Sequence, residues 1–264
     1  MQYIIIGLVA IYGALCFSFY SFQEKFLFHP SKLEKDFQFS HKSFIKEYLL
    51  KDTGNVEISL AHFSASDSPK ALVIYFHGNV HNIEHYSQFI DPFLENNLDV
   101  IIMDYRNFGK SQGKTTPNSF YNDINLVSDF IDKEFKHHKK VAYGKSLGSG
   151  MATYFASKQN TELIILEAPF YDFSNTVNRW GALFLSKTFL KYKFNNATNL
   201  KLSKAPVYIF HGENDWLISP KAPGKIKNEF HERVKLTIIK DGKHNGLPDF
   251  PIYKQTMDSI LKGI

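Results

Sequence analysis

The chain has 264 residues, 44% of them hydrophobic, which suits one large α/β domain with a substantial core. Its formal charge of +5 comes from 31 basic and 26 acidic side chains that are spread along the chain. Because no basic stripe is interleaved with aromatic residues, this distribution argues against a dedicated nucleic-acid-binding protein. Cys16 is the only cysteine, which excludes a disulfide framework and a cysteine-based zinc site.

The first segment of the chain, residues 1–23, carries no charged side chain. Residues 3–22 give 20 mostly apolar positions, enough for a helix to cross roughly 30 Å of hydrocarbon. We predict a membrane anchor over residues 1–23, followed by a polar connector over residues 24–43. A cleaved signal peptide is the lesser alternative, because the segment lacks a basic start. Lysines follow the span and none precedes it, which favours a cytoplasmic position for the rest of the chain.

From residue 44 onward, short apolar runs alternate with longer amphipathic ones. The first two runs flank a turn at residues 52–55 and predict an antiparallel start to a sheet. The later runs lack strict alternation, as expected of strands that are covered on both faces of a parallel sheet. Between them, residues 118–135 space their apolar side chains along one face of a helix. The predicted strands are residues 44–50, 56–62, 71–76, 100–103, 140–143, 163–166, 207–210 and 236–239.

This order of elements predicts the fold class. Strand, helix and strand repeated along the chain give an α/β fold with a mostly parallel central sheet and helices on both faces. We therefore expect one domain over residues 44–264, preceded by a transmembrane helix.

The pentapeptide from Gly144 to Gly148 reads G-x-S-x-G. A phosphate-binding P-loop is excluded, because Lys139 stands where its first glycine is required. A chance match in an ordinary turn is the other alternative. The predicted strand before the pentapeptide and the predicted helix after it favour a nucleophile elbow, with Ser146 at the sharp corner as the nucleophile.

A serine hydroxyl needs a base, commonly a histidine that is oriented by a carboxylate. In elbow-bearing folds these partners follow the serine in the order acid, then histidine, on loops after late strands. Asp215 follows the run at residues 207–210 and is the preferred acid, with Asp172 as the alternative. His244 lies on a glycine-containing loop after the last strand and is the predicted base.

The tetrahedral intermediate of acyl transfer requires backbone N–H donors for its oxyanion. The residue after the nucleophile, Leu147, supplies one N–H at the start of a helix. The second is expected from the loop after an early strand, where Gly78 permits close approach of the backbone. Asn79 is the first choice for this donor and Val80 the second.

Two further segments have more than one interpretation. Residues 170–194 contain many apolar side chains, among them Trp180, Leu183, Phe184, Leu185, Phe189 and Leu190, that suit either a lid over the serine or ordinary core packing. Residues 81–85 read H-x-x-E-H, a zinc-binding pattern, but no third ligand is evident. A solvated helix face is the preferred interpretation, and no metal site is predicted.

Five motifs in this order resemble the α/β-hydrolase superfamily of serine hydrolases. They are HGN at residues 77–79, DYRNFGKSQG at 104–113, GKSLG at 144–148, HGEND at 211–215 and GKH at 242–244. Together with the apolar span, they look most like membrane-anchored α/β-hydrolase domain proteins, which include esterases, lipid hydrolases and protein depalmitoylases. Asn107 stands where such proteins commonly carry glycine, and asparagine tolerates the positive φ of that turn.

The resemblance implies a serine hydrolase that cleaves an ester or thioester of a small-molecule or lipid-like substrate. It implies an acyl-enzyme on Ser146 and requires neither a metal nor an organic cofactor. An acyltransferase or a serine peptidase with the same triad, and a non-catalytic membrane tether on a hydrolase scaffold, are the alternatives.

Overall fold

The computed structural model describes residues 2–136, 138–181 and 186–264, with side chains described for all of these except residues 178–187. The strands are β1 (His29–Pro30), β2 (Phe44–Lys51), β3 (Glu57–Phe63), β4 (Ala71–Phe76), β5 (Val80–His81), β6 (Leu98–Met103), β7 (Lys139–Lys145), β8 (Leu163–Glu167), β9 (Val207–Gly212) and β10 (Val234–Ile239). The α-helices are α1 (Gln2–Leu27), α2 (Ile83–Ser87), α3 (Asp91–Glu95), α4 (Pro117–Glu134), α5 (Leu147–Lys158), α6 (Phe173–Gly181), α7 (Ser186–Phe189), α8 (Asn196–Leu202), α9 (Lys221–Glu229) and α10 (Pro251–Lys262).

Eight of these strands form one sheet in the order β10-β9-β8-β7-β4-β6-β3-β2. The strands from β6 to β10 in this order are parallel, whereas β3 is antiparallel to both of its neighbours. All eight predicted strands are present, and the prediction of a mostly parallel sheet with an antiparallel start is confirmed. The carboxyl ends of β7, β8, β9 and β10 therefore lie along one edge, where α/β sheets bind ligands.

Two hydrophobic cores cover the two faces of the sheet. In β4, Leu72 and Ile74 pack in one core and Val73 and Tyr75 in the other, because successive side chains of a strand point to opposite faces. Helices α4, α5, α8 and α9 contribute to the first core, and α2, α3 and α10 to the second. Burial on both faces explains why the strands are almost continuously apolar in sequence.

The apolar N-terminal segment forms helix α1, which is long and apolar enough to cross a membrane. It continues to Leu27, past the predicted end of the anchor at residue 23. The chain after it was predicted as a polar connector, but it packs on the domain: β1 pairs with β5, and the Phe28 ring lies 4.8 Å from the Tyr192 ring, between centroids.

The C-terminal part of α1 is attached to the domain through Gln23, whose side chain is fully buried. Its amide Nε2 donates to the carbonyl oxygen of Phe189 at 3.1 Å, and its Oε1 accepts from the backbone N–H of Lys191 at 2.8 Å. Beside it, Glu24 accepts from Lys191 Nζ and from the Tyr192 hydroxyl, both at 3.1 Å. The helix is therefore hydrogen-bonded to the last residue of α7 and to the residues that follow it.

We expect Gln23→Leu to lower the free energy of unfolding by about 1–3 kcal/mol, because it leaves a buried backbone N–H and C=O of residues 189–191 without partners. Gln38→Leu is the matched control: Gln38 is exposed and, among the described residues, its side chain bonds only to the backbone of Asp36, so its change should stay within about 0.5 kcal/mol. Denaturant titration of the full chain in nonionic detergent measures both. Equal unfolding free energies for the two variants would contradict the attachment of α1 through Gln23.

Candidate active site

Ser146 lies at the corner between β7 and α5 and has the backbone angles φ 51° and ψ −113°. Positive φ is strained for a residue with a side chain and costs about 1–3 kcal/mol, so the surroundings must impose it. Gly148 makes the corner possible, because a Cβ there would lie 1.9 Å from the carbonyl oxygen of Phe76. A Cβ at Gly144 would similarly lie 2.4 Å from the carbonyl oxygen of Gly148. Both glycines of the pentapeptide are thus required by close backbone contacts.

The corner is also tied to the neighbouring strand β8 through Glu167. The backbone N–H of Ser146 donates to the Glu167 carbonyl oxygen at 2.8 Å. The buried Glu167 carboxylate accepts hydrogen bonds from Lys145 Nζ and from the hydroxyls of Tyr143 and Tyr253. Burial alone would raise the pKa of the Glu167 carboxyl, but the charge of Lys145 and these hydrogen bonds hold the pKa below its usual value. The carboxylate is therefore ionised beneath the elbow.

Sequence reasoning did not identify Glu167. The signal in the sequence is small: one acidic residue directly after a buried apolar run, next to a strand that leads into the elbow.

Asp215 follows β9 and is 3% exposed. Its Oδ1 accepts from the backbone N–H groups of Leu217 at 2.9 Å and Ile218 at 2.8 Å. Burial tends to raise the pKa of the Asp215 carboxyl. The hydrogen bond from His244, the charge that His244 carries when protonated and the hydrogen bond from the Ile218 N–H outweigh burial, so the pKa lies below its usual value. His211 lies 3.4 Å from Asp215 Oδ2. Burial lowers the pKa of His211, so its imidazole is neutral at neutral pH.

His244 lies on the loop after β10, and this loop packs directly on the end of β9. A Cβ at Gly212 would lie 2.4 Å from the Gly242 carbonyl oxygen and 2.5 Å from that of Lys243. The backbone N–H of Asn214 donates to the same Gly242 oxygen at 2.8 Å. The loops that carry Asp215 and His244 are therefore held in contact by their backbones.

The structure brings Ser146, His244 and Asp215 into one chain of hydrogen bonds. His244 Nε2 lies 3.0 Å from Ser146 Oγ, and His244 Nδ1 lies 2.8 Å from Asp215 Oδ2. An ionised carboxylate can only accept, so Nδ1 carries the proton and Nε2 is left as an acceptor for the serine hydroxyl. This arrangement can withdraw the proton from Ser146 Oγ.

Asp172, the alternative acid, is engaged elsewhere. Its Oδ1 accepts from the backbone N–H of Ser174 at 2.8 Å, at the start of α6, and its Oδ2 accepts from the Asn195 side chain at 3.0 Å. Neither bond involves His244, so the geometry selects Asp215 as the partner of the imidazole.

Asn79 and Leu147 line one cavity of about 450 Å³ together with Ser146. Leu147 is the first residue of α5, where backbone N–H groups have no intrahelical acceptor. The Asn79 side chain donates to the Leu27 carbonyl oxygen, and the Asn79 carbonyl oxygen accepts from the His29 N–H, both at 2.8 Å. Neither of these bonds uses the Asn79 N–H. Val80, the second choice, is paired with His29 and does not line the cavity.

The rest of the cavity lining is mostly apolar and comes from three other parts of the chain. Helix α1 supplies five residues, α6 supplies three and the loop after Asp215 supplies two. These lining residues are Leu15, Ser18, Phe19, Phe26, Leu27, Phe173, Thr176, Val177, Leu217 and Ile218. The contribution of α1 was not predicted from the sequence, which indicated only a membrane span there.

The predicted lid at residues 170–194 is described in part. Helices α6 and α7 lie within it, and Phe173 lines the cavity, whereas Leu190 is buried in the core. The side chain of Trp180 and the residues Leu183, Phe184 and Leu185 lie outside the description.

The H-x-x-E-H pattern is divided between two elements. His81 ends β5, and His85 belongs to the short helix α2. The Glu84 carboxylate accepts from the Ser40 backbone N–H at 3.2 Å. Among the described residues, no group of three or more histidine, cysteine, aspartate or glutamate side chains is placed to hold a metal ion.

Comparisons with known proteins agree with the fold. Residues 67–203, just over half of the chain, match the family model described as serine aminopeptidase, S33. Protein R595 of Acanthamoeba polyphaga mimivirus is 28% identical over 256 residues, which cover 85% of this chain and 86% of that protein. Human ABHD12B is 27% identical over 223 residues, which cover 72% of this chain and 60% of that protein.

Solved structures show the same architecture. An esterase of Pyrococcus furiosus superposes with a TM-score of 0.71 over 90% of this chain and 97% of its own, at 19% identity. The predicted α/β-hydrolase fold is confirmed by this likeness.

We expect Gly148→Ala to destabilise the protein by about 3 kcal/mol or more, because the added Cβ would lie 1.9 Å from the backbone oxygen of Phe76, which is fully buried. Gly224→Ala is the matched control: Gly224 lies inside α9 with nothing within 4 Å of an added Cβ, so this variant should be neutral or up to about 1 kcal/mol more stable. Denaturant titration compares them. A Gly148→Ala variant as stable as Gly224→Ala would contradict the close packing of the elbow.

Proposed function

Because the chain belongs to the α/β-hydrolase family described as serine aminopeptidase, S33, we propose that it is a serine hydrolase that cleaves a carboxylic ester or thioester through an acyl-enzyme. The observation that carries the proposal is the unbroken series of hydrogen bonds from Ser146 through His244 to Asp215.

In the first step, Ser146 Oγ attacks the acyl carbon while its proton passes to His244 Nε2. The Asp215 carboxylate stabilises the imidazolium that forms and keeps Nδ1 protonated. The tetrahedral oxyanion accepts hydrogen bonds from the N–H groups of Leu147 and Asn79. His244 then gives its proton to the leaving alcohol or thiol, and the Ser146 ester remains.

Deacylation uses the same residues, with water in the place of the leaving group. Water donates a proton to His244 Nε2 as it attacks the Ser146 ester, and the second tetrahedral intermediate uses the same two N–H groups. Collapse of this intermediate returns the proton from His244 to Ser146 Oγ and releases the carboxylic acid. None of these steps requires a metal or an organic cofactor.

The cavity supports an acyl substrate over a peptide. An aminopeptidase binds a positively charged α-amino group, for which a carboxylate partner is the usual device when the charge is removed from water. The described residues that line the cavity beside Ser146 include no aspartate or glutamate. Their mostly apolar side chains suit a hydrocarbon chain, which gains free energy on leaving water.

We also propose that α1 anchors the protein in a membrane. Its C-terminal part is bound to the domain through Gln23 and lines the cavity, so removal of the helix as a signal peptide would open the site. The lysines that follow the apolar span, with none before it, favour a cytoplasmic position for the domain. Degradation of the domain by protease added outside intact cells would contradict this orientation.

We expect Ser146→Ala to abolish labelling by a fluorophosphonate probe, and Asp215→Asn and His244→Ala each to lower kcat by at least ~10³-fold with folding preserved. The measurement is hydrolysis of p-nitrophenyl butyrate. Asp172→Asn is the matched control and should retain activity within about twofold, since asparagine also caps a helix well.

Failure of the intact protein to react with the probe would favour the non-catalytic tether. Near-normal turnover of Asp215→Asn would remove that carboxylate from the mechanism. Transfer of the acyl group to an added alcohol in preference to water would identify an acyltransferase.

A further inference from the structure

The cavity beside Ser146 has α1 as one of its walls. Five of its described lining residues belong to this helix, and Ser146, Leu147 and Asn79 line the same space. A helix that served only as a tether would not need to line the cavity that contains Ser146. The position of α1 therefore calls for a role in substrate binding.

The end of α1 is also joined to the loop that carries a proposed oxyanion donor. The Asn79 side chain donates to the carbonyl oxygen of Leu27, the last residue of α1, at 2.8 Å. The N–H of His29 donates to the carbonyl oxygen of Asn79 at 2.8 Å. With Gln23 bonded to the backbone of Phe189 and Lys191, the C-terminal part of α1 has hydrogen bonds to two separate parts of the domain.

The apolar stretch of α1 indicates where the cavity lies relative to a membrane. Residues 3–22 carry no charged side chain, and three of the lining residues, Leu15, Ser18 and Phe19, belong to this stretch. A hydrocarbon core of roughly 30 Å requires about 20 residues. A helix that crosses the membrane with these 20 residues therefore places Leu15, Ser18 and Phe19 at or below the surface of the hydrocarbon.

Exposed aromatic side chains near the cavity agree with this placement. Phe22 and Phe26 of α1 are 51% and 66% exposed, and Trp216, beside the lining residue Leu217, is 59% exposed. Tryptophan is enriched at membrane–water interfaces, and phenylalanine is common on helix faces that contact the boundary between headgroups and acyl chains. Their exposure next to the cavity suits a position of this side of the domain against the bilayer.

We propose that α1 is part of the substrate site and that the substrate is a membrane lipid ester with one acyl chain, which enters the cavity laterally from the bilayer. This inference rests on the proposed hydrolase function. A cavity of about 450 Å³ lies in the range of small-molecule sites, ~300–1,000 Å³, and suits a single hydrocarbon chain. The acyl chain of the lipid lies along the apolar side chains of α1, and its ester carbonyl reaches Ser146.

The first test changes the wall of the cavity. Ser18→Trp fills part of it from α1, whereas Ala14→Trp adds the same side chain at an exposed position of α1 that is not among the lining residues. The full chain is reconstituted in phosphatidylcholine vesicles with 1-stearoyl glycerol or p-nitrophenyl acetate. We expect the ratio of kcat/KM for the long to the short ester to fall at least about tenfold in Ser18→Trp and to be unchanged in Ala14→Trp.

The second test uses the unaltered chain and does not depend on the folding of a variant. Initial rates of 1-stearoyl glycerol hydrolysis are compared with the lipid in the same vesicles as the protein and in separate protein-free vesicles. Lateral entry predicts a rate at least about tenfold higher in the shared vesicles.

The outcomes separate the two proposals. Equal rates in shared and separate vesicles, or an unchanged ratio in a folded Ser18→Trp variant that still hydrolyses p-nitrophenyl acetate, would overturn the role of α1 and leave the hydrolase function standing. Hydrolysis of neither ester by the unaltered chain would instead refute the proposed function.

Discussion

The hydrogen bond between His244 and Ser146 depends on backbone packing at the ends of two strands. Gly148 lets α5 start against the end of β4, and Gly212 lets the histidine loop lie against the end of β9. A Cβ at either position would meet backbone oxygens, which cannot rotate away as a flexible side chain can. A hydrogen bond is lost when its atoms separate beyond about 3.5 Å. A small shift of either loop would therefore break the 3.0 Å hydrogen bond between His244 Nε2 and Ser146 Oγ.

Local patterns in the sequence were sufficient to predict the sheet and the three side chains, Ser146, His244 and Asp215, that the structure joins by hydrogen bonds. Short apolar runs identify strands covered on both faces, and the loop after each late strand must open at the same sheet edge. The strand boundaries were less accurate, since β6 begins at Leu98 and not at residue 100. Asp99 interrupts the apolar run, yet it is buried and paired with His62 at 2.8 Å. Asn107 has φ 69°, as the turn was expected to require.

Features that join distant parts of the chain could not be predicted in this way. Glu167 has the pattern of a polar residue that ends a strand, and its burial is explained only by Lys145, Tyr143 and Tyr253, which come from β7 and α10. Nothing local distinguishes such a carboxylate from a solvated one. Its position matters because the Ser146 N–H donates to the backbone of the same residue, so the ionised cluster stabilises the strained corner.

The role proposed for α1 was hidden for a different reason. Membrane lipid and an acyl-binding cavity both favour apolar side chains. Hydropathy therefore cannot tell which face of α1 contacts lipid and which face lines the cavity. The informative residue is Gln23, a polar side chain that is fully buried and bonded to the backbone at residues 189 and 191. Such a contact fixes the helix to the domain, which a helix that only tethers does not require. Since the next residues reach Asn79 through the Leu27 carbonyl, membrane insertion and alignment of the loop that carries the proposed oxyanion donor would depend on the same segment of chain.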